Sequence, residues 1–589
     1  MVPLSLLLGL LTLLGYVLCA GPTFYWLDSS ELTAAAWGLG VAHPPGHPLA
    51  SLVGRLFCML PVGTIAFRVT LASALCAAGA TSLAGVLTAQ VLRRLRREGE
   101  PAGPAWIEPV AVTASALSVG LSYALWFQAV RTEVYALNLL LLLAGACLVL
   151  RWDRTGDRRA LLAAALTCGL GLCNHHFLVI LAIPGVLIFV VARRPRPGWK
   201  RLAAGLVLAG ALGLSTLAYL PLRASTGPEV NWGSPSSAER FYWVVSAKAF
   251  QKAVDKAARE TLSHRTGGAL FALVDGLGPV GAVMALGGLY FLWRRRRSRQ
   301  VALLLTLLVG GNLLSPLTVG FDPLNADAHG YLAVAVAFLS PGLAVFVVVL
   351  SRAAAQRLAA APVVICALTL AAVLFQAASA LPRVDLRHHW AAEETARQVL
   401  ALPHGALLMT SYFETVFNAW AMRVAADHRP DLGLLHRGFV GMPGYAEDQE
   451  RRLPAVRSMV TRWRAAGRAS LTDLDRLARR APLRVEFDLN VPSPLARRLK
   501  PAGLTLAYGA RQPSTRAHVE RFQRWHRIIG ADKDLETRRT MTWSHYLLTW
   551  WACQQGRADL ARYHHSKAHA LSPHSVHLGE LARGCGLAR

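Results

Sequence analysis

Apolar stretches long enough, or nearly long enough, to cross a hydrocarbon layer of about 30 Å recur along the first two-thirds of the chain, and this recurrence limits what it can fold into. They fall near 2–21, 69–92, 108–128, 134–150, 160–174, 177–192, 202–222, 270–293, 301–319, 330–350 and 362–381, which predicts about eleven transmembrane helices. The fifth and sixth are short and are divided only by Asn174-His175-His176. A chain of 589 residues that is 54% hydrophobic and 16% charged is too apolar and too long for one soluble domain. The expected fold is therefore mainly α: a polytopic membrane domain over 1–382, then a soluble α or α/β domain over 383–589, where the composition turns ordinary. Met1 to Ala20 has no Lys or Arg before it and no convincing cleavage site after it, so it is expected to remain as the first span.

A formal charge of +28, from 62 Lys+Arg against 34 Asp+Glu, would suit a nucleic-acid partner if it were spread over one face. Instead the arginines gather in short connections: Arg93-Arg94 with Arg96-Arg97, Arg151 to Arg159, Arg193 to Arg201, Arg294 to Arg297, and Arg352 with Arg357. These occupy every second connection, as cytoplasmic loops do under the positive-inside rule, and no nucleic-acid partner is expected. The remaining connections then lie on the outer face. An odd span count with a cytoplasmic N-terminus puts 383–589 there too. Seven cysteines lie in or beside apolar runs as small hydrophobes, no CxxC pair suggests zinc, and Cys553 and Cys585 could pair in an oxidising compartment.

The outer connections collect the unusual polar residues. The first, 22–68, carries Asp28, Glu31, Trp37 and His43-Pro44-Pro45-Gly46-His47; the second has Arg131 and Glu133; the third has Asn174, His175 and His176. The long fourth loop, 223–269, has Arg223, Glu229, Asn231 and Trp232, and the fifth has Asp322, Asp327 and His329. Each has a plain alternative. Asp28 and Glu31 share one face of a helix and suit a capping box. The proline run suits a re-entrant turn, and Arg131 with Glu133 suits an interfacial ion pair. The basic stretch Phe241 to Arg265, with Lys248, Lys252 and Lys256, suits a helix lying on headgroups. For the lysines the headgroup helix is the preferred reading; for the acids, imidazoles and amides one-sidedness outweighs the plain alternative, because polar groups gathered at one edge of a lipid-embedded bundle are costly unless they line a shared cavity. After the spans, Ala406 to Thr410 reads as a buried strand before a helix from Ser411. Near the end, Gly556, Ala561, Ala568 and Pro573 have a tetratricopeptide-like spacing that one unit does not make a repeat.

Asp28-Ser-Ser-Glu31, His43-Pro-Pro-Gly-His-Pro48, Arg131-Thr-Glu-Val-Tyr-Ala-Leu-Asn138, Asn174-His-His176, Leu220-Pro-Leu-Arg223 with Asn231-Trp-Gly233, and Asp327-Ala-His-Gly-Tyr331 occur in an order that resembles one membrane family. Those resembled are the bacterial members of a family long catalogued as of unknown function, which includes a eukaryotic endoplasmic-reticulum protein O-mannosyltransferase and belongs to the GT-C glycosyltransferases. The resemblance covers roughly residues 1 to 450. It implies a multi-pass protein of the bacterial inner membrane and an inverting transferase. The donor would be a polyprenyl-phosphate-linked hexose, and an acid of the first outer loop, here Asp28, would be the base. The chain departs from protein mannosyltransferases proper in having Asp-x-x-Glu where they have adjacent acids.

The chemistry points the same way. The outer face has no pool of nucleotide sugars, so a donor must arrive in the membrane. Its phosphate leaves without being protonated, so one carboxylate suffices as general base, whereas a glycosidase needs two. The expected roles are Asp28 as base, Glu31 orienting it or a sugar hydroxyl, and Arg131 or Arg223 on the donor phosphate. Trp37, His43, His47, Glu133, Asn174, His175, His176, Asn231, Trp232, Asp327 and His329 are expected around the sugar, the phosphate or the acceptor, which would be a protein hydroxyl or an envelope glycan or lipid. Three rivals follow from the same residues. A transporter would use such polar groups as a substrate path, although its site belongs at the membrane midplane. A hydrolase could hold Mg²⁺ or Mn²⁺ on the acids and histidines, although no regular ligand spacing supports it. A scaffold would leave the outer acids without a role.

Overall fold

A computed structural model describes residues 1–95, 104–193, 199–251, 255, 261–319, 321–486, 488, 493–509, 514–530 and 534–587. Arg96, Arg97, Arg194, Arg196, Lys252 and Lys256 of the sequence reading lie outside the described residues. The chain opens with α1 (Val2–Cys19). The first outer connection holds two short helices, α2 (Asp28–Gly38) and α3 (Pro48–Cys58). Next come α4 (Ile65–Arg93), the pair α5 (Ile107–Gly120) and α6 (Tyr123–Ala129), α7 (Tyr135–Thr155) and α8 (Arg158–Val191). Later apolar helices span Trp199–Ala224, Leu262–Leu277 with Pro279–Arg294, Arg299–Thr318, Ala326–Ala355 and Ala361–Val384. Among the described residues, eight helices are long and apolar enough to cross a membrane, or ten if each bent pair is one span. This is a multi-pass, mainly helical membrane protein.

The count falls short of eleven for local reasons. The run expected over 108–128 breaks by 61° between α5 and α6, where Ser122 starts a new helix by accepting the Leu125 N–H. The run over 270–293 breaks by 97° at Gly278, whose φ of 72° suits glycine, and at Pro279, which has no N–H to donate. α8 merges the fifth and sixth expected spans, but it is not straight. His175 inside it has φ −147° and ψ 85°, and Arg193 beyond its end pairs with Asp153 before its start. A straight helix of this length would hold its ends about 50 Å apart. α8 is therefore two limbs folded back at Asn174–His175, and counting the limbs separately restores the eleven apolar segments.

Arg94 also pairs with Asp153, Arg295 donates to the Leu95 carbonyl at 3.1 Å, and Arg352 pairs with Glu108 at 3.0 Å. The arginine-rich connections thus meet at one end of the bundle. Beyond Val384 the chain forms a five-stranded sheet in the order β2-β1-β3-β5-β4: β1 (Leu407–Thr410), β2 (Gly433–His436), β3 (Leu483–Val485), β4 (Leu499–Ala502) and β5 (Thr505–Tyr508). The first three are parallel and β5 runs against its neighbours. The strand expected at 406–410 is β1, and the helix after it is Phe413–Trp420. The packed helices Leu535–Gln554 and Ala558–Leu571 are followed by the helix Val576–Gly584, and Cys553 and Cys585 are joined in a disulfide.

Candidate active site in the outer loops

The site grows from the first turn of α2. Asp28 and Glu31 both lie in it, but the capping residue is Leu27 and no side chain caps the helix, so the capping-box alternative does not hold. Both acids still gain from the positive end of the helix dipole. Glu31 is fully buried and its two oxygens go to one residue: Oε1 accepts the His43 backbone N–H at 2.7 Å, and Oε2 faces His43 Nδ1 at 2.7 Å. The turn from His43 to His47 needs Gly46, which has φ 98° and where a Cβ would fall 2.7 Å from Leu220. Asp28 is different: its side chain is 33% exposed and its Oδ2 lies 3.7 Å from His43 Nε2.

The ring nitrogens fix their own protons. His47 is buried, and its Nδ1 lies 2.5 Å from the Asn174 carbonyl, so Nδ1 carries the proton and Nε2 is bare. That bare nitrogen lies 3.2 Å from His43 Nε2, which must therefore donate. With Nδ1 donating to Glu31 as well, His43 is an imidazolium. Electrostatics agrees, because although burial opposes the charge, Asp28 and Glu31 raise the His43 imidazole to about 10. Burial lifts the Asp28 carboxyl to about 6, and the His43 cation limits the rise. His47, buried and facing that cation, is held well below the usual histidine range.

The fold-back of α8 supplies the far wall. Asn174 Nδ2 donates to the Val134 carbonyl at 2.9 Å, and the His175 ring lies against His47, Tyr135 and Tyr331 at centroid distances of 5.8, 5.5 and 5.1 Å. The fourth outer loop is laced to the first, with the Val41 N–H donating to the Val230 carbonyl and the Trp232 N–H to the Val41 carbonyl. This brings Trp232 to 6.4 Å and Phe250 to 6.1 Å from His43, ring to ring. Asn231 Nδ2 reaches over to Asp448 at 2.7 Å. Sequence reasoning missed Tyr135, Tyr331 and Phe250. The two tyrosines sit within motifs quoted above and so were findable; Phe250 carries no signal outside the fold.

Other expected residues are placed elsewhere. Arg131 is buried and spent: it pairs with Glu133 at 2.7 Å and with Asp327, and it lies over the Phe127 ring at 4.8 Å. Burial pushes the Glu133 carboxyl up. Arg223 donates to the Leu39 carbonyl at 2.7 Å and the Gly38 carbonyl at 3.3 Å, closing the C-terminus of α2. Neither arginine has the free fork expected for a phosphate. Trp37 stacks on Arg55 and packs against the cluster of Ala36, Cys58 and Val69, and His329 bonds the Pro323 carbonyl at 2.8 Å, so both serve their own loops. His176 Nδ1 has no hydrogen bond. Among the described residues, no three acidic, histidine or cysteine side chains are grouped to hold a metal ion.

The apolar helices define a multi-pass membrane protein with a polar site in the connections between them. Its fold is similar to that of ArnT from Cupriavidus metallidurans, in the structure bound to undecaprenyl phosphate (TM-score 0.51, 13% identity, 82% of this chain and 93% of that one) and in the apo state (0.53, 12%, 86% and 97%). Part of its sequence is similar to O-mannosyltransferases. Residues 28–198 match the family model for the Protein O-mannosyl-transferase TMEM260 N-terminal domain. The chain is 31% identical over 223 residues to Protein O-mannosyl-transferase TMEM260 of Mus musculus (36% of this chain, 29% of that protein) and 27% identical over 240 residues to the tmem260 protein of Dictyostelium discoideum (36% and 27%). It thus spans less than a third of these relatives' length. The matched segment runs from Asp28 through the α8 fold-back.

Proposed function

We propose that the protein is an inverting glycosyltransferase that moves a hexose from a polyprenyl-phosphate donor to a hydroxyl acceptor. The observation that carries this reading is the contrast between the two acids: Glu31 is buried and saturated by His43, while Asp28 is half-buried, open to a substrate and beside a fixed cation. Asp28 takes the proton of the acceptor hydroxyl, whose oxygen attacks the anomeric carbon from the face opposite the phosphate. The C–O bond forms as the bond to phosphate breaks, and the phosphate departs with the electron pair. The His43 imidazolium, rather than Arg131 or Arg223, is the cation nearest this chemistry.

A lipid-linked donor suits the surroundings. An apolar cavity of about 280 Å³ lies between the limbs of α8 and the neighbouring helices, lined by Leu142, Leu161, Leu172, Val179, Val186 and Leu308 among others. Leu172 and Val179 flank the fold-back that touches His47, so a prenyl tail there would bring its phosphate toward the site. The mannosyltransferase names of the relatives favour mannose and a protein hydroxyl. The arginine-rich end lies away from the site, which supports an active face on the outside of the bacterial inner membrane, and the Cys553–Cys585 disulfide suits the same oxidising side. Donor phosphate and acceptor are handled by Asp28, His43 and their neighbours.

The test is transfer from radiolabelled polyprenyl-phosphate hexoses in membranes carrying the native chain or Asp28→Asn. We expect transfer to fall about a hundredfold or more in the variant at equal protein level. Equal transfer by Asp28→Asn overturns Asp28 as base. No transfer from any donor overturns the enzyme reading in favour of transport.

A further inference from the structure

The segment before Asp28 is held from an unexpected direction. Tyr25 and Trp26, 3% and 2% exposed, reach the start of the helix Leu535–Gln554, more than 500 residues away in sequence. The Tyr25 hydroxyl donates to Asp534 Oδ1 at 2.7 Å, and Trp26 Nε1 donates to Thr537 Oγ1 at 2.9 Å. Thr537 Oγ1 in turn donates to Asp534 Oδ2 at 2.5 Å, and the Thr537 backbone N–H donates to Asp534 Oδ1 at 3.0 Å. His389 Nε2 lies 3.4 Å from Asp534 Oδ2, and its ring packs on Tyr25 at 4.7 Å. Asp534 thus caps its own helix and anchors the strap in one network.

Leu27 stands between this anchor and Asp28 at φ 62° and ψ −143°, a conformation that only glycine adopts freely. A side chain stays there when both flanks are fixed. On one flank is the Tyr25–Trp26 anchor; on the other is α2, tied to His43 through Glu31. Released from the first, Leu27 would relax to an extended backbone and rotate the start of α2, taking the Asp28 carboxylate off the His43 ring.

We propose that the cap of the helix Leu535–Gln554 is a positioning device for the base: Asp534 and Thr537, by holding Tyr25 and Trp26, keep Leu27 in the strained turn that presents Asp28 to His43. This rests on Asp28 being the base. It makes the C-terminal helices part of the active site's support and gives Asp534 and Thr537 no contact with substrate.

The test measures sugar transfer by Thr537→Val, which keeps the shape and loses the hydroxyl, and by Asp534→Asn, each with and without Leu27→Gly, with Asp28→Asn alongside. We expect Thr537→Val to lower kcat about tenfold to a hundredfold, with donor KM within about twofold and an unchanged melting temperature. Its pH–rate profile should shift to higher pH on the acid side, as Asp28 loses the His43 cation. Adding Leu27→Gly should recover much of the rate, since glycine holds that backbone without an anchor. Full activity of Thr537→Val at unchanged stability overturns the proposal, and so does a kcat loss that Leu27→Gly deepens. An active Asp28→Asn overturns the functional reading beneath it, whatever the anchor variants do.

Discussion

At the scale of single residues, the site works by dividing labour between two acids one helical turn apart. Glu31 gives both oxygens to His43 and fixes its orientation and charge, while Asp28 keeps a free oxygen and a lifted pKa. A base must be unprotonated, so transfer should rise with pH through about 6, the Asp28 value, and level off above it. The sign of a change at His43 follows. His43→Gln removes the cation that favours the Asp28 carboxylate, so the acid limb should move to higher pH, with a fall in kcat/KM of about tenfold or more at pH 6. An acid limb that stays in place in that variant would show that His43 bears no charge beside Asp28. Asp28, Glu31, His43 and His47 stand out in the sequence because they crowd one short connection, but that Glu31 takes His43 and leaves Asp28 open is visible only in the fold. The sequence assigned the arginines to phosphate because a guanidinium near an outer loop looks free in one dimension. Only the fold reveals that Asp327, 196 positions away, already occupies Arg131, or that Arg223 closes the end of α2.

At the scale of elements, hydropathy located each apolar segment but not how the segments join. Gly278-Pro279 and Ser122 are breaks that the sequence contains, yet a window of mean hydropathy smooths over them. The reverse holds at Asn174–His175, where the sequence divided a run that hydrogen bonding counts as one helix. Asp153 decides between the two, since it binds Arg94 and Arg193 together. The fold-back carries function as well, because its apex sets the Asn174 carbonyl against His47 and so fixes that ring's tautomer. Arg159 and Ala192 are exposed at the two ends of α8. In membranes, Arg159→Cys and Ala192→Cys should both react with an impermeant maleimide from the same side, above the labelling of the native chain. Reaction from opposite sides would mean that α8 crosses once, which would detach His175 from the site.

At the scale of the whole molecule, the C-terminal helices hold a feature that no spacing of residues along the chain announces. His518, His545 and His564 are buried, and with His526 they form a single file from three helices: His518 Nε2 meets His564 Nε2 at 2.7 Å, His564 Nδ1 meets His545 Nδ1 at 2.7 Å, and His545 Nε2 meets His526 Nε2. Each neutral imidazole has one donor and one acceptor, so the file is satisfied when every ring donates in the same direction. Among the described residues, the charged side chains that act on it are Arg521 and Arg557 on His518 and Lys567 on His526 and His545, all cations. Burial, reinforced by these cations and by the neighbouring rings, holds His545 and His564 well below the usual histidine range and His518 and His526 at about 4. In the unfolded chain these rings bind protons below about 6.5. Between that pH and the native values the unfolded state therefore holds more protons, and stability from the file, complete above about 6.5, is lost as the pH falls. The raised carboxyls of Glu486 and Glu536, both at about 7, act in the opposite sense, so the file is isolated by difference. Between pH 7.5 and 5 the native chain should lose more melting temperature than His545→Gln/His564→Gln, by on the order of several degrees. Equal losses would mean that the rings accept protons in the folded state, and that the single file is not the neutral chain its hydrogen bonds describe.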